Sequence, residues 1–164
     1  MSAGVPLTDE DRAPWLALIR STADRLADSS QTNTVVIACS ALKRSYRDIL
    51  RGTHPAADEL PPPSDIPSSH PVPGAHEPGT RALRTYFVFI DGPREVLLQR
   101  MSARKGHFMK EKMLDSQIAT LERPSAEELE RDVVIVDLER GVEEQVKQAV
   151  WSLASLRVLF GGES

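Results

Sequence analysis

The 164 residues hold little that would tie them to an oxidising compartment, a membrane or a nucleic acid. There is one cysteine, Cys39, so no disulfide framework can form within the chain. No stretch approaches the roughly 20 consecutive apolar residues of a membrane span. Asp9, Glu10 and Asp11 stand early in the chain, against the basic-then-apolar pattern of a secretory leader. Basic charge is not in excess: 20 Lys and Arg stand against 24 Asp and Glu, a net charge of −4, so the chain as a whole is not drawn to polyanions. Aromatics make up 5% and do not interleave with the basic clusters, which argues against a nucleic-acid stacking surface. Neither a GxxxxGK[ST] nor a GxGxxG run occurs. The expectation is a soluble cytoplasmic protein, with no nucleic-acid or membrane partner, whose anion binding comes from local clusters.

What is present is one domain's length with 40% apolar residues, enough for a core. Thr8 and Asp11 read as a capping box with Asp in place of Glu. Pro14 fits a first helical turn, and Trp15, Leu18, Ile19, Thr22, Ala23 and Leu26 recur at helical spacing, predicting a helix near 13–28. The β-branched run Thr34–Cys39 reads as a parallel strand buried on both faces, followed by a helix at 41–50. Residues 52–80 hold most of the prolines and few large apolar groups, and read as a disordered insertion, partly polyproline II. Strands are predicted at 86–90 and 133–137, and helices after Pro93, over 110–121 and after Gly141. Strands alternating with helices imply an α/β domain, 1–164, with a parallel sheet of three strands flanked by helices. Ligands in such sheets bind beyond the carboxyl ends of the strands, here Cys39-Ser40, Asp91-Gly92 and Asp137.

Three constellations carry chemistry. Lys43, Arg44 and Arg47 at a strand end that opens a helix form a candidate anion site, but a capped helix with a solvated basic face is the reading that the residues alone favour. Arg100, Arg104, Lys105, His107 and Lys110 surround the hinge residue Gly106. Cations on a movable loop suit phosphoryl transfer, where they neutralise charge and exclude water. A solvated turn between two helices fits that spacing equally well. Asp137 and Glu139 read as a strand ending rather than a metal pair, and Cys39 as a small apolar group rather than a nucleophile. No metal-ligand spacing is found among His54, His70 and His76.

Met1–Arg12 with Pro14-Trp15-Leu16, then Ala38–Lys43 (ACSALK) with Tyr46-Arg47-Asp48, then Ala103–Phe108 (ARKGHF), then Met113-Leu114, Gln117 and Leu121-Glu122 together resemble the gluconokinase family of P-loop small-molecule kinases, related to shikimate kinase. The resemblance covers nearly the whole chain outside the insertion. It implies phosphoryl transfer from ATP, with Mg²⁺, to the 6-hydroxyl of D-gluconate. By the same resemblance Lys43, Arg47 and Arg104 are implied as catalytic, Asp11, Arg12, Lys43 and His107 as substrate-binding, and Arg100, Arg104 and Lys105 as nucleotide-binding. Family members are often dimers, so a homodimer is among its implications. The family pattern begins with a strand, a phosphate loop and a second strand that are not found here. The expectation is therefore a P-loop kinase fold missing its first two strands, inactive as it stands, with unpaired interior edges at 34–39 and 86–90. Low stability, or direct pairing of 34–39 with 86–90, is expected to follow. The alternative reading is a non-catalytic fragment or paralogue acting as a binding or regulatory module.

Overall fold

The computed structural model describes residues 8–29, 34–53, 83–103 and 111–160. They fall into two compact units, Met1–Arg84 and Thr85–Ser164, each taken by itself below. The predicted insertion lies outside the described residues except for Gly52 and Thr53 at its start, which finish a helix.

The first unit packs two helices, α1 (Asp9–Ser29) and α2 (Arg44–Arg51). The capping box read from the sequence is present: the Asp11 carboxylate accepts from the backbone N–H of Thr8 at 2.9 Å, and the Thr8 hydroxyl accepts from the Asp11 N–H at 3.2 Å. It starts α1 four residues before the predicted start. Pro14 therefore lies inside the helix rather than in its first turn, at the loss of one backbone hydrogen bond. The face of α1 that packs shares only Ala23 with the predicted stripe. Leu16, Ala17, Ala23 and Ala27 are buried, as are Tyr46, Ile49 and Leu50 of α2, whereas Trp15, Leu18 and Leu26 stay exposed. The helix is apolar on two sides, and periodicity alone does not say which side finds a partner.

Helix α2 ends in a Schellman motif. Gly52, at φ 76°, donates to Ile49 O and Thr53 donates to Asp48 O, both at 3.0 Å. The left-handed conformation is why glycine stands there. The Arg20 guanidinium of α1 binds the Leu50 carbonyl at 2.9 Å, placing positive charge at the negative end of α2.

Residues 34–40 belong to no helix and no ladder among the described residues, which corrects the prediction of a strand buried on both faces. Val36 is 94% exposed and Ile37 45%. A strand is held by ladder hydrogen bonds to a neighbour, and this run is assigned to no ladder among the described residues.

The second unit contains β1 (Phe87–Asp91), α3 (Arg94–Ala103), α4 (Glu111–Thr120), α5 (Ala126–Arg131), β2 (Val133–Asp137) and α6 (Val142–Phe160). Strands β1 and β2 pair in parallel, with Phe87 opposite Val133 and Asp91 opposite Asp137. The sheet among the described residues thus has two strands rather than three. Within this unit, β1 takes β2 as its ladder partner. Strand β2 is buried at Val133, Val134 and Val136, while β1 exposes Val88 and Ile90. Beside β2, Gln148 of α6 acts as a substitute strand: its amide accepts from Asp137 N at 3.3 Å and donates to Ile135 O at 3.2 Å. Helix α5, not predicted, is set by a full capping box between Ser125 and the fully buried Glu128.

Candidate functional site

The described cationic residues of the two sequence clusters have different fates. In the first unit, the N-termini of α1 and α2 bring four side chains together. Lys43, just before α2, donates to Asp9 Oδ2 at 2.5 Å. One turn into α2, the Tyr46 hydroxyl donates to Asp9 Oδ1, also at 2.5 Å. Arg12, one turn along α1 from Asp9, donates to the same hydroxyl at 3.3 Å. The Arg12 and Lys43 cations each stand 5.7 Å from the centroid of the Tyr46 ring, within cation–π range. Lys43 therefore pairs with the Asp9 carboxylate directly, and Arg12 reaches it through the Tyr46 hydroxyl, in a first turn of α1 that also carries Glu10 and Asp11.

The electrostatics follow from these contacts. The Lys43 ammonium, then the Tyr46 hydroxyl, hold the Asp9 carboxyl below its ordinary 3.8. Burial, then the hydrogen bond to Asp9, push the Tyr46 phenol up from 10.0. Asp9 thus stays charged and Tyr46 stays protonated across the neutral range.

Backbone strain adjoins the cluster. Ala41, in the loop that delivers Lys43, is the one non-glycine residue with positive φ among those described, at 38°. Such conformations persist where the surroundings over-determine them and concentrate at functional sites. The carbonyl of Ala41 accepts from Arg47 Nη1 at 3.3 Å, and Arg47 is 3% exposed. A buried guanidinium thereby fixes the strained loop.

Of the residues singled out in the sequence, Arg12 and Lys43 meet, and Arg47 supports the loop between strand run and helix. The Asp11 carboxylate is engaged by Thr8, whose backbone N–H and hydroxyl lower its pKa. Arg104, Lys105 and His107 lie outside the described residues. In the second unit, the Arg100 guanidinium donates to Leu138 O at 2.5 Å and to Arg140 O at 3.4 Å, bracing the turn after β2. At the strand ends, Asp91 pairs with Arg123. The Asp137 carboxylate accepts from Glu139 N at 2.8 Å, as expected of a strand ending. Sequence reasoning missed Asp9 and Tyr46. In the sequence Asp9 enters as early acidic charge and Tyr46 as one of the residues that carry the family resemblance, although their spacing from Arg12 and Lys43 is a signal.

The sequence and structure of known proteins decide the family. The thermosensitive gluconokinase of Escherichia coli (strain K12) is 35% identical over 161 residues, covering 96% of this chain and 69% of the relative. The chain belongs to the gluconokinase family. A probable gluconokinase of Schizosaccharomyces pombe is 36% identical over 150 residues, 92% of this chain and 64% of that protein. The crystal structure of a gluconokinase from Sinorhizobium meliloti 1021 superposes with a TM-score of 0.65 at 38% identity, covering 99% of this chain and 74% of that one. No family model matches the chain. The chain spans about two thirds of the length of the curated gluconokinases it matches. Its two-stranded parallel sheet with flanking helices accords with a kinase fold.

Proposed function

We propose that this chain carries the sugar-acid side of a gluconokinase, an enzyme that transfers the γ-phosphoryl group of ATP to the 6-hydroxyl of D-gluconate to give 6-phosphogluconate. The observation that carries the proposal is the convergence of Lys43 and Arg12 on Asp9 and Tyr46 at 2.5–3.3 Å. A sugar acid brings one carboxylate and a row of hydroxyls. The Arg12 and Lys43 cations suit the carboxylate, and the Asp9 carboxylate and Tyr46 phenol suit the hydroxyls. Arg47 belongs to the reading as the group that holds the loop before Lys43, and Asp11 as the cap that sets the direction of α1 and with it Asp9 and Arg12. His107 completes the substrate contacts in this proposal.

The described residues do not themselves build a site for ATP and Mg²⁺. No group of three or more acidic, histidine or cysteine side chains among them could hold a metal ion, and Arg100 is engaged by two carbonyls. Nucleotide contacts are assigned in the proposal to Arg104 and Lys105, with Arg100 behind them.

The test is ADP formation with D-gluconate, and with D-glucose as the neutral control, on the chain alone and on the chain joined to the part of the Sinorhizobium meliloti gluconokinase that has no counterpart in it. Turnover of the joined protein that prefers gluconate, and that falls at least about tenfold on Lys43→Met, is expected. Equal turnover of glucose, or indifference to Lys43→Met, refutes the assignment. A second reading, a binding module without catalysis, is favoured by the absence of a GxxxxGK[ST] run from the 164 residues. It gains if neither protein turns over.

A further inference from the structure

Among the described residues no strand lies beyond β2, so its outer side is a sheet edge. Alternate residues of a strand turn their backbone groups to opposite neighbours. Asp132 O accepts from Phe87 N at 2.8 Å, and Leu138 N donates to Asp91 O at 2.7 Å, so the even-numbered residues face β1. Val133, Ile135 and Asp137 therefore turn theirs outward. Natural sheet edges are usually guarded by charge, proline or a bulge. Val133–Val136 contains no charged residue and no proline, and its register against β1 runs residue for residue, without a bulge. Apolar, β-branched runs of this kind recruit further strands when an edge is free.

One side chain meets this edge. Gln148 of α6 accepts from Asp137 N at 3.3 Å and donates to Ile135 O at 3.2 Å. A single residue of a parallel neighbour makes the same pair of bonds, its N–H to the carbonyl of residue i and its carbonyl to the N–H of residue i+2. The carboxamide thus takes the place of one strand residue and stops the ladder there. Helix α6 turns Val142, Val146 and Val150 to solvent and sets this polar side chain against the edge instead.

We propose that Gln148 is an edge guard, which keeps the outer side of β2 closed to β2 of a second copy of this chain. The partner follows from the geometry of the edge. The outward residues Val133, Ile135 and Asp137 are spaced symmetrically about Ile135. Two copies of β2 related by a twofold axis therefore pair antiparallel, with Ile135 opposite its own counterpart and Val133 opposite Asp137, and the pairing closes on itself. Gln148 holds the carbonyl at the centre of that pairing. The proposal goes beyond the gluconokinase reading and uses none of the residues in the cluster at Asp9.

Sedimentation velocity of the whole chain at micromolar concentrations reads the association, and hydrogen exchange of the Asp137 amide reads the edge itself. Gln148→Ala removes both bonds and keeps the helix, since alanine is a strong helix former. It is expected to dimerise at a concentration at least about tenfold lower than the parent. In dilute solution its Asp137 amide should exchange at least about tenfold faster than the parent's, and should slow again as the dimer forms. Gln148→Glu also loses the bond to Ile135 O but leaves a charge at the edge, so it should associate no more than the parent. Gln145→Ala removes bonds to Leu138 O and Arg140 O, in the turn rather than the strand, and should sediment as the parent does. Circular dichroism establishes that each variant keeps the parent's helical content. The proposal is overturned if Gln148→Ala sediments as the parent does, or if its dilute Asp137 amide exchanges no faster. It is equally overturned if association leaves that amide fast, which would place the contact on another edge, or if Gln148→Glu associates as Gln148→Ala does.

Discussion

Gly92→Ala puts the packing of the second unit to a quantitative test. A Cβ built on Gly92 would stand 2.5 Å from Leu138 Cβ, 3.0 Å from Cδ2 and 3.2 Å from Cγ. Carbon atoms pack at about 3.5–4.0 Å, so an opening of about 1 Å is needed between the ends of β1 and β2. Leu138 cannot yield by rotating its side chain, because the nearest atom is its Cβ. Its backbone is held as well: its N–H donates to Asp91 O at 2.7 Å, and its carbonyl accepts from Arg100 at 2.5 Å and Gln145 at 3.0 Å. Overpacking of this kind costs about 1–3 kcal/mol. In a domain of this size that is a fall in Tm of about 5–20 °C, read by circular dichroism or calorimetry. Leu138→Ala should not rescue it, since the clashing Cβ remains. Gly141→Ala, where nothing lies within 4 Å, is the control and should leave Tm nearly unchanged. A Gly92→Ala protein that melts with the parent would refute the close approach of these two strand ends.

Two further outcomes follow from the cationic cluster and its loop. Ala41→Gly relieves a left-handed residue at φ 38°. That conformation costs a non-glycine residue about 1–2 kcal/mol, offset by the greater chain entropy of glycine, about 0.5–1 kcal/mol. The urea midpoint should therefore stay level or rise slightly, and a clear fall would contradict the strain. Asp9 has a lowered pKa in the folded chain, so its contribution is present above the ordinary 3.8 and is lost as pH falls through the folded value. Tyr46 has a raised pKa, so its contribution is present below 10.0 and is lost as pH rises past it. Asp9→Asn should flatten the acid limb of a plot of Tm against pH, and an unchanged acid limb would separate Asp9 from Lys43.

How far the fold was legible depends on whether a segment carries its own partner. Val133–Val136 is a run of β-branched residues buried at Val133, Val134 and Val136, and both bounds of the strand match the sequence prediction. The box at Thr8 and Asp11 was legible because capping is a local event, and Ser125 with Glu128 had the same signature in a helix of six residues, too short to show periodicity. The packing face of α1 was not legible: Trp15, Leu18 and Leu26 are as apolar as Leu16 and Ala23, and only the tertiary structure decides which side meets α2. Thr34–Cys39 has strand composition but no ladder, because pairing belongs to two segments at once. In the site, Lys43 was legible from charge and position, and Arg12 only through the family resemblance. Asp9 and Tyr46 were not, since their roles arise where two helix ends meet.

Titration of the chain with D-gluconate, beside its Lys43→Met variant and with D-glucose as the neutral control, asks most directly whether the cluster at Asp9, Arg12, Lys43 and Tyr46 receives a sugar acid. Saturable binding of gluconate, absent for glucose and weakened at least about tenfold by Lys43→Met, is the expected result. Gluconate binding that is unaltered by Lys43→Met, or matched by glucose, would contradict the assignment.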